Sequence, residues 1–190
     1  MAAAALAATE AQTVRLPGEA TTAVLIARLA TQLLELDRQI KDTDKLITSR
    51  FREHPQAEII ESLPGFGPIL GAEFVVATGG TLSGFATSGR LASYAGLVPV
   101  PQDSGRVAGN LRRPKRYNRR LRRVFYMAAL SSIKSRGPSR TFYDKKRSER
   151  LIHTQALLAL ARRLVDVLWA LLRDRLTFSP AGPQKASAAA

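Results

Sequence analysis

Leu63-Pro64-Gly65-Phe66-Gly67-Pro68-Ile69-Leu70-Gly71-Ala72 is the most telling ten-residue stretch of this chain. A short amphipathic segment, Ala57 to Ser62, runs into Pro64-Gly65, which ends it. Gly67-Pro68 then opens a second helix, because proline suits a first helical turn, where its missing N–H has no partner to lose. Two helices joined in this way predict a helix–hairpin–helix. Gly65 and Gly67 let the backbone come close to a phosphate, and the free amides at the start of the second helix then face that anion. The same stretch also reads as a plain packing turn between two helices.

Upstream, residues 21–53 follow helical period over a long span. Ile26, Leu29, Leu33, Leu36, Ile40, Thr43 and Ile47 alternate in steps of three and four, a heptad seam with polar Thr43 inside it. Charged side chains such as Arg28, Glu35, Asp37, Arg38, Lys41 and Asp42 take the other faces. The seam fits a coiled coil with another chain or a helix packed within its own. Residues 1–20, Ala-rich with Pro17-Gly18, are expected to be a disordered lead-in, and residues 179–190 a disordered tail.

Downstream, turns crowd residues 79–105, with a helix expected over Ser88 to Tyr94. Tyr94-Ala95-Gly96-Leu97-Val98-Pro99 then leads into the polar loop Gln102-Asp103-Ser104-Gly105-Arg106. From Asn118 a further helix is predicted, with Leu121, Val124, Phe125, Ala128, Ala129 and Ser132 on its buried face and Arg119, Arg120, Arg122 and Arg123 elsewhere. Gly137-Pro138 stops it. Residues 139–176 are helical again, ending in a long helix from about Thr154 to Leu176 with a leucine stripe, beside which Trp169 reads as a packing residue. No strand pattern stands out. The expectation is an all-α protein: a coiled-coil-like helix over 21–55, then a compact helical domain over 56–178 that contains the helix–hairpin–helix.

Charge is concentrated as sharply as helix. Sixteen of the 29 Lys and Arg fall between Arg106 and Arg150 against two acids, Asp144 and Glu149, so this block alone carries the +14 of the whole chain. Such a field suits a polyanion, and nucleic acid is the expected partner. Gly65, Gly67, Arg106, Arg112, Arg113, Lys115, Arg116, Arg119, Arg120 and Arg123 are the candidate contacts. Tyr117 and Asn118 lie inside the block, as base partners or, for Tyr117, as a core anchor. Cysteine is absent, which excludes a disulfide framework and a cysteine zinc site. His54 and His153 have no ligand spacing, so no metal site is expected in this chain. No apolar run reaches the ~20 residues of a membrane span, and a soluble, intracellular protein without a signal peptide is the expectation.

The same segments, taken in order, resemble the C-terminal half of the insertion-sequence 110/116/902 transposases. They are Leu63 to Pro68, Leu91-Ala92-Ser93-Tyr94-Ala95-Gly96-Leu97-Val98-Pro99, Asp103-Ser104-Gly105-Arg106, Arg116-Tyr117-Asn118-Arg119-Arg120-Leu121, Phe142-Tyr143 and Ala159-Leu160-Ala161-Arg162-Arg163. The resemblance covers roughly residues 56–176, and the heptad helix before them is similar to the family's coiled-coil connector. It implies a recombinase that moves insertion elements, guided in characterised members by a structured RNA. It also implies an N-terminal carboxylate domain that holds divalent metal, Mg, and a C-terminal serine that attacks the DNA phosphate. The residue matching that serine is Ser104. About 20 small, polar residues precede the heptad helix, which leaves no room for the carboxylate domain and suggests an N-terminally truncated transposase. By resemblance, its partners are DNA, a structured guide RNA, and a second copy or a full-length transposase joined through residues 21–55, in the bacterial cytoplasm beside the nucleoid.

Attack by a serine needs a reachable hydroxyl, a route for its proton, and cations around the phosphoryl oxygens. Ser104 lies between polar and glycine residues in a loop, and Arg106, Arg112 and Arg113 are near it in sequence. Asp103 is adjacent but is not assigned as the base. Without the resemblance, Ser104 reads as a turn serine, since Ser-Gly is a common turn pair. A non-catalytic module that binds nucleic acid, or that pairs with and blocks the full-length transposase, is the alternative.

Overall fold

The computed structural model describes residues 2–11, 18–106, 108–180 and 184–185. The chain divides into two units, one through Ile47 and one from Thr48 onward.

The first unit contains α1 (Ala2–Glu10) and most of α2 (Glu19–Arg52). Helix α1 lies in the lead-in that the composition marks as disordered. Its alanines lose less conformational entropy on entering a helix than any other residue type, and that favours the helix. Residue 1 and residues 12–17 of the lead-in lie outside the described residues. Helix α2 runs 34 residues with neither Gly nor Pro, about 51 Å at 1.5 Å per residue. Ion pairs one turn apart line its polar faces: Arg38 with Glu35 at 2.7 Å and Asp42 at 3.1 Å, and Lys41 with Asp37 at 2.7 Å. Its seam is open to solvent, with Leu29, Leu33 and Ile40 each 58% exposed.

The second unit begins with the last turn of α2, which buries Phe51. Next come α3 (Ala57–Ser62), α4 (Pro68–Thr78), α5 (Ser88–Tyr94), α6 (Arg119–Ser132), α7 (Pro138–Ser148) and α8 (His153–Asp174). Helix α8 is the centre of the unit, with α3, α5, α6 and α7 packed on it. Its stripe of Leu157, Leu160, Ala161, Leu164, Leu168, Leu171 and Leu172 is buried along its whole length. On α6 the six residues at helical spacing, Leu121 to Ser132, are buried as their periodicity predicts. Phe66, Phe74 and Phe125 close the interface of α4 with α6, ring edges on ring faces with centroids 5.7–6.4 Å apart. Trp169 is a packing residue, and its indole N–H donates to the Phe85 carbonyl at 3.2 Å.

Helix ends follow their local chemistry. Thr87 accepts the Arg90 amide at the start of α5, and Asn118 accepts the Leu121 amide at the start of α6. Pro68 and Pro138 occupy first turns, and Gly79 ends α4 in the left-handed region at φ 73°.

The fold is mostly helical, as expected, with two antiparallel pairings that the sequence reading does not contain. β1 (Val100–Pro101) pairs with β2 (Leu111–Arg112), and β3 (Leu176–Thr177) pairs with β4 (Gln184–Lys185). Each ladder is two residues long, too short for an alternating pattern to show. β4 also gives backbone pairing to a stretch read as a disordered tail; residues 181–183 and 186–190 of that tail lie outside the described residues.

Candidate nucleic-acid interface

Ser104 stands near the tip of a hairpin whose arms are β1 and β2. Val100 pairs with Arg112 and Pro101 with Leu111. The Gln102 amide donates to the Asn110 carbonyl at 2.9 Å, and the Asp103 carboxylate accepts the Asn110 amide at 3.0 Å. Asp103 therefore holds the two arms together, and its engagement with the backbone is a structural role distinct from that of a base. Ser104 and the following Gly105 and Arg106 are exposed.

The return arm leads straight into the cationic block. Arg112, Arg113, Lys115 and Arg116 are all exposed, and Arg119 and Arg120 form the first turn of α6. Four arginines within the first five residues of a helix, with no acid in its first turn, oppose the helix dipole, each at a cost of about 0.3–1 kcal/mol. The same dipole and the free amides favour an anion there, so the arrangement is poor for an isolated helix and good for one that receives phosphate.

Tyr117 settles as an anchor. Its ring packs where a Cβ on Gly96 would fall, 2.5 Å from Cγ, and Gly96 is left-handed at φ 66°. The Arg113 and Arg122 guanidinium groups lie 4.8 and 5.4 Å from the ring centroid. Arg122 also donates to the Gly96 carbonyl. Burial, and then the neighbouring Arg113 charge, lowers the Arg122 pKa from its ordinary value. Asn118 is committed to the fold as well: beyond capping α6, its side-chain amide donates to the Tyr94 hydroxyl at 3.1 Å. Arg123 is tied by 2.6 Å to Glu73 of α4, which makes it the most constrained of the expected contacts.

The two glycines of the α3–α4 turn differ. Gly65 is left-handed at φ 87°, and a Cβ on it would run into the Ala128 carbonyl of α6, 2.9 Å from the carbonyl carbon. Its missing side chain thus serves close packing of the turn on α6. Gly67 precedes α4 with open space where a Cβ would stand, so it is the glycine with room for an outside partner.

Among the described residues no group of three His, Asp or Glu could hold a metal ion. His54 Nδ1 accepts the Gln56 amide at 3.2 Å, and His153 lies 2.7 Å from the Tyr143 hydroxyl at the start of α8. Several of the described acids, Glu35, Asp37, Asp42 and Glu73 among them, are instead paired with Arg or Lys. No helix of the described residues is long and apolar enough to cross a membrane.

Three residues escaped the sequence reading of the site: Arg122, Gln155 and Arg162. They meet the hairpin base around one cavity. The signal for Arg122 was its place on the helical wheel, next to the buried stripe of α6 and nearly opposite Arg120. Arg162 lies within the α8 segment already quoted, but only the packing of α8 on α5 and α6 brings it to the hairpin.

Comparison with known proteins places the chain. Residues 57–144 match the model of the Transposase IS116/IS110/IS902 family. The chain is 59% identical to the insertion element IS116 uncharacterized 44.8 kDa protein of Streptomyces clavuligerus, over 96% of this chain and 46% of that protein. It is 56% identical to the insertion element IS900 uncharacterized 42 kDa protein of Mycobacterium paratuberculosis, over 95% of this chain and 45% of that protein. The transposase for insertion sequence element IS1111A of Coxiella burnetii is 30% identical over 79% of this chain and 42% of that protein. The chain spans about half the length of the curated relatives it matches. By family model over residues 57–144 and by relatives alike, the chain is similar to the IS116/IS110/IS902 family of insertion-element transposases.

Proposed function

We propose that this chain is the DNA-binding, serine-bearing part of an insertion-element transposase, with Ser104 as the nucleophile. The observation that carries this reading is the exposed Ser104 on a hairpin whose return arm delivers Arg112 and Arg113 and whose next helix opens on Arg119 and Arg120. In the step, Ser104 Oγ bonds to a DNA phosphorus and the P–O bond to one deoxyribose oxygen breaks. The hydroxyl proton leaves to a base, and the departing deoxyribose oxygen gains a proton. The guanidinium groups bind the phosphoryl oxygens and spread their developing charge. A carboxylate domain of the kind the resemblance implies would supply the base and hold any divalent metal. Gly67 and the start of α4 supply a further backbone contact to phosphate. A structured RNA is a second polyanion suited to the same block.

The test is a search for a covalent adduct. Labelled element-end duplex is incubated with this chain and with a full-length relative whose corresponding serine is changed to Ala. A labelled covalent band on this chain, absent in Ser104→Ala while affinity stays within about twofold, is expected. Persistence of the band in that variant refutes Ser104 as nucleophile.

A second reading rests on the open seam of α2. In that reading the chain is a non-catalytic module that pairs with a full-length transposase through residues 21–55. DNA binding without any adduct on this chain would favour it.

A further inference from the structure

The cavity beside the serine hairpin has the form of a nucleotide site. It measures about 520 Å³, within the roughly 300–1,000 Å³ of sites for small organic ligands. One wall is Leu97, Val98 and Pro99, and another is the hairpin base with Leu111 and Pro114. Leu158 and Ala159 of α8 form part of the α8 wall. The remaining lining is cationic or polar: Arg112, Arg113, Arg122, Arg162 and Gln155. A bare phosphate would leave the apolar walls unused, and an apolar ligand would leave three guanidinium groups without an anion. Among the described residues no carboxylate pairs with Arg112, Arg113 or Arg122, whereas Arg162 is held 2.5 Å from Asp166. A ligand with a flat, largely apolar body and a phosphate at its edge uses both parts.

We infer that this cavity takes a single nucleotide swung out of the DNA strand, its base against the Leu, Val, Pro and Ala walls and its phosphate on Arg112, Arg113 and Arg122. The inference rests on the reading of the chain as a DNA-binding module. The hairpin fixes the geometry, because the return arm that lines the cavity is paired with the arm that ends at Ser104. Leu111 of the cavity wall is paired with Pro101, and the three residues from Pro101 to Ser104, at about 3.3 Å each, put Ser104 roughly 10 Å along the hairpin from that wall. That is about three phosphate steps along a stacked strand. Extrusion removes one base from the stack at a cost of a few kcal/mol and so loosens the strand next to the serine. It also gives the protein a means to read a base near the attacked phosphate, which the exposed arginines of α6 lack.

The test uses a single-stranded oligothymidine with one central 2-aminopurine, whose fluorescence rises when the base leaves its neighbours. Among the described residues no aromatic ring lines the cavity to quench it, so binding to the wild-type chain is expected to raise emission about twofold or more. Ala159→Phe fills the cavity from the α8 wall and is expected to remove the rise while affinity, from the arginines outside the cavity, falls by less than about tenfold. Arg113→Gln leaves the walls in place and is expected to cut the rise at least by half, so it carries the test should Ala159→Phe fail to fold. An undiminished rise in a folded Ala159→Phe chain, or in Arg113→Gln, overturns the cavity assignment and leaves DNA binding intact. So does binding of the oligonucleotide to the wild-type chain without a rise. Absence of binding at low salt overturns both readings.

Discussion

Gly65→Ala is the sharpest test of how the α3–α4 turn sits on α6. Two penalties meet at this position. The left-handed backbone at φ 87° costs an alanine about 1–2 kcal/mol. The new Cβ also collides with the Ala128 carbonyl and lies 3.0 Å from the Ser132 nitrogen. These are backbone atoms inside a helix and cannot swing aside as a side-chain tip would, so overpacking adds about 1–3 kcal/mol. The sum, about 2–5 kcal/mol, is a large part of a domain's net stability. Trp169 is the only tryptophan and is packed in the second unit, so its fluorescence in a urea titration reports that unit. With a slope near 2 kcal/mol per molar urea, the midpoint should fall by about 1–2.5 M. Gly67→Ala is the control. Apart from its chain neighbours, no atom of the described residues lies within 4 Å of its Cβ position and its φ is −118°, so its midpoint should fall by less than about 0.5 M. A Gly65→Ala shift no larger than that of Gly67→Ala would refute the close approach of turn and helix.

Arg120→Ala should lower the slope of log affinity for duplex DNA against log salt by about 1, the loss of one phosphate contact. Arg123→Ala should lower it by less, because its guanidinium is already engaged by Glu73. Equal slopes for the two variants would remove that distinction. Leu33→Asp combined with Leu36→Asp should turn a self-associated chain into a monomer in light scattering, since both side chains stand on the open seam of α2; a wild-type chain that is monomeric at high concentration counts against pairing. The Arg38 hydrogen bond, with Gln39 as a second donor, lowers the Glu35 pKa to about 2. Carboxyl NMR should therefore find a midpoint near that value, returning toward 4.5 in Arg38→Gln. Because the folded-state pKa is depressed, this pair's small contribution to helix stability is fully present above the ordinary 4.5 and disappears as pH falls through about 2.

Much of the helical architecture was legible because it rests on local signals. Ala57–Ser62, Ser88–Tyr94 and the start of α6 at Asn118 end where Pro, Gly, Thr or Asn dictates. The buried face of α6 follows from helical period alone. The hairpin was not legible, since two-residue ladders carry no period, and neither was α1, whose alanines have helical propensity but no amphipathic face. Gly65 illustrates a middle case. Its composition signals a turn, but a turn glycine serves phosphate and packing equally well until a neighbour is known.

Composition and order along the chain were enough to establish a helical protein, the block of charge from Arg106 to Arg150, and the serine loop ahead of it. These are properties of neighbouring residues, and chain connectivity alone preserves them. The tertiary structure alone decided which cations serve as site and which as fold. Arg123 meets Glu73 fifty positions away, Arg122 reaches the Gly96 carbonyl, and Arg162 of α8 joins the hairpin base around one cavity. Those distances are set by how α4, α6 and α8 pack, and packing depends on the shapes of buried side chains summed over the whole core, which no single segment encodes.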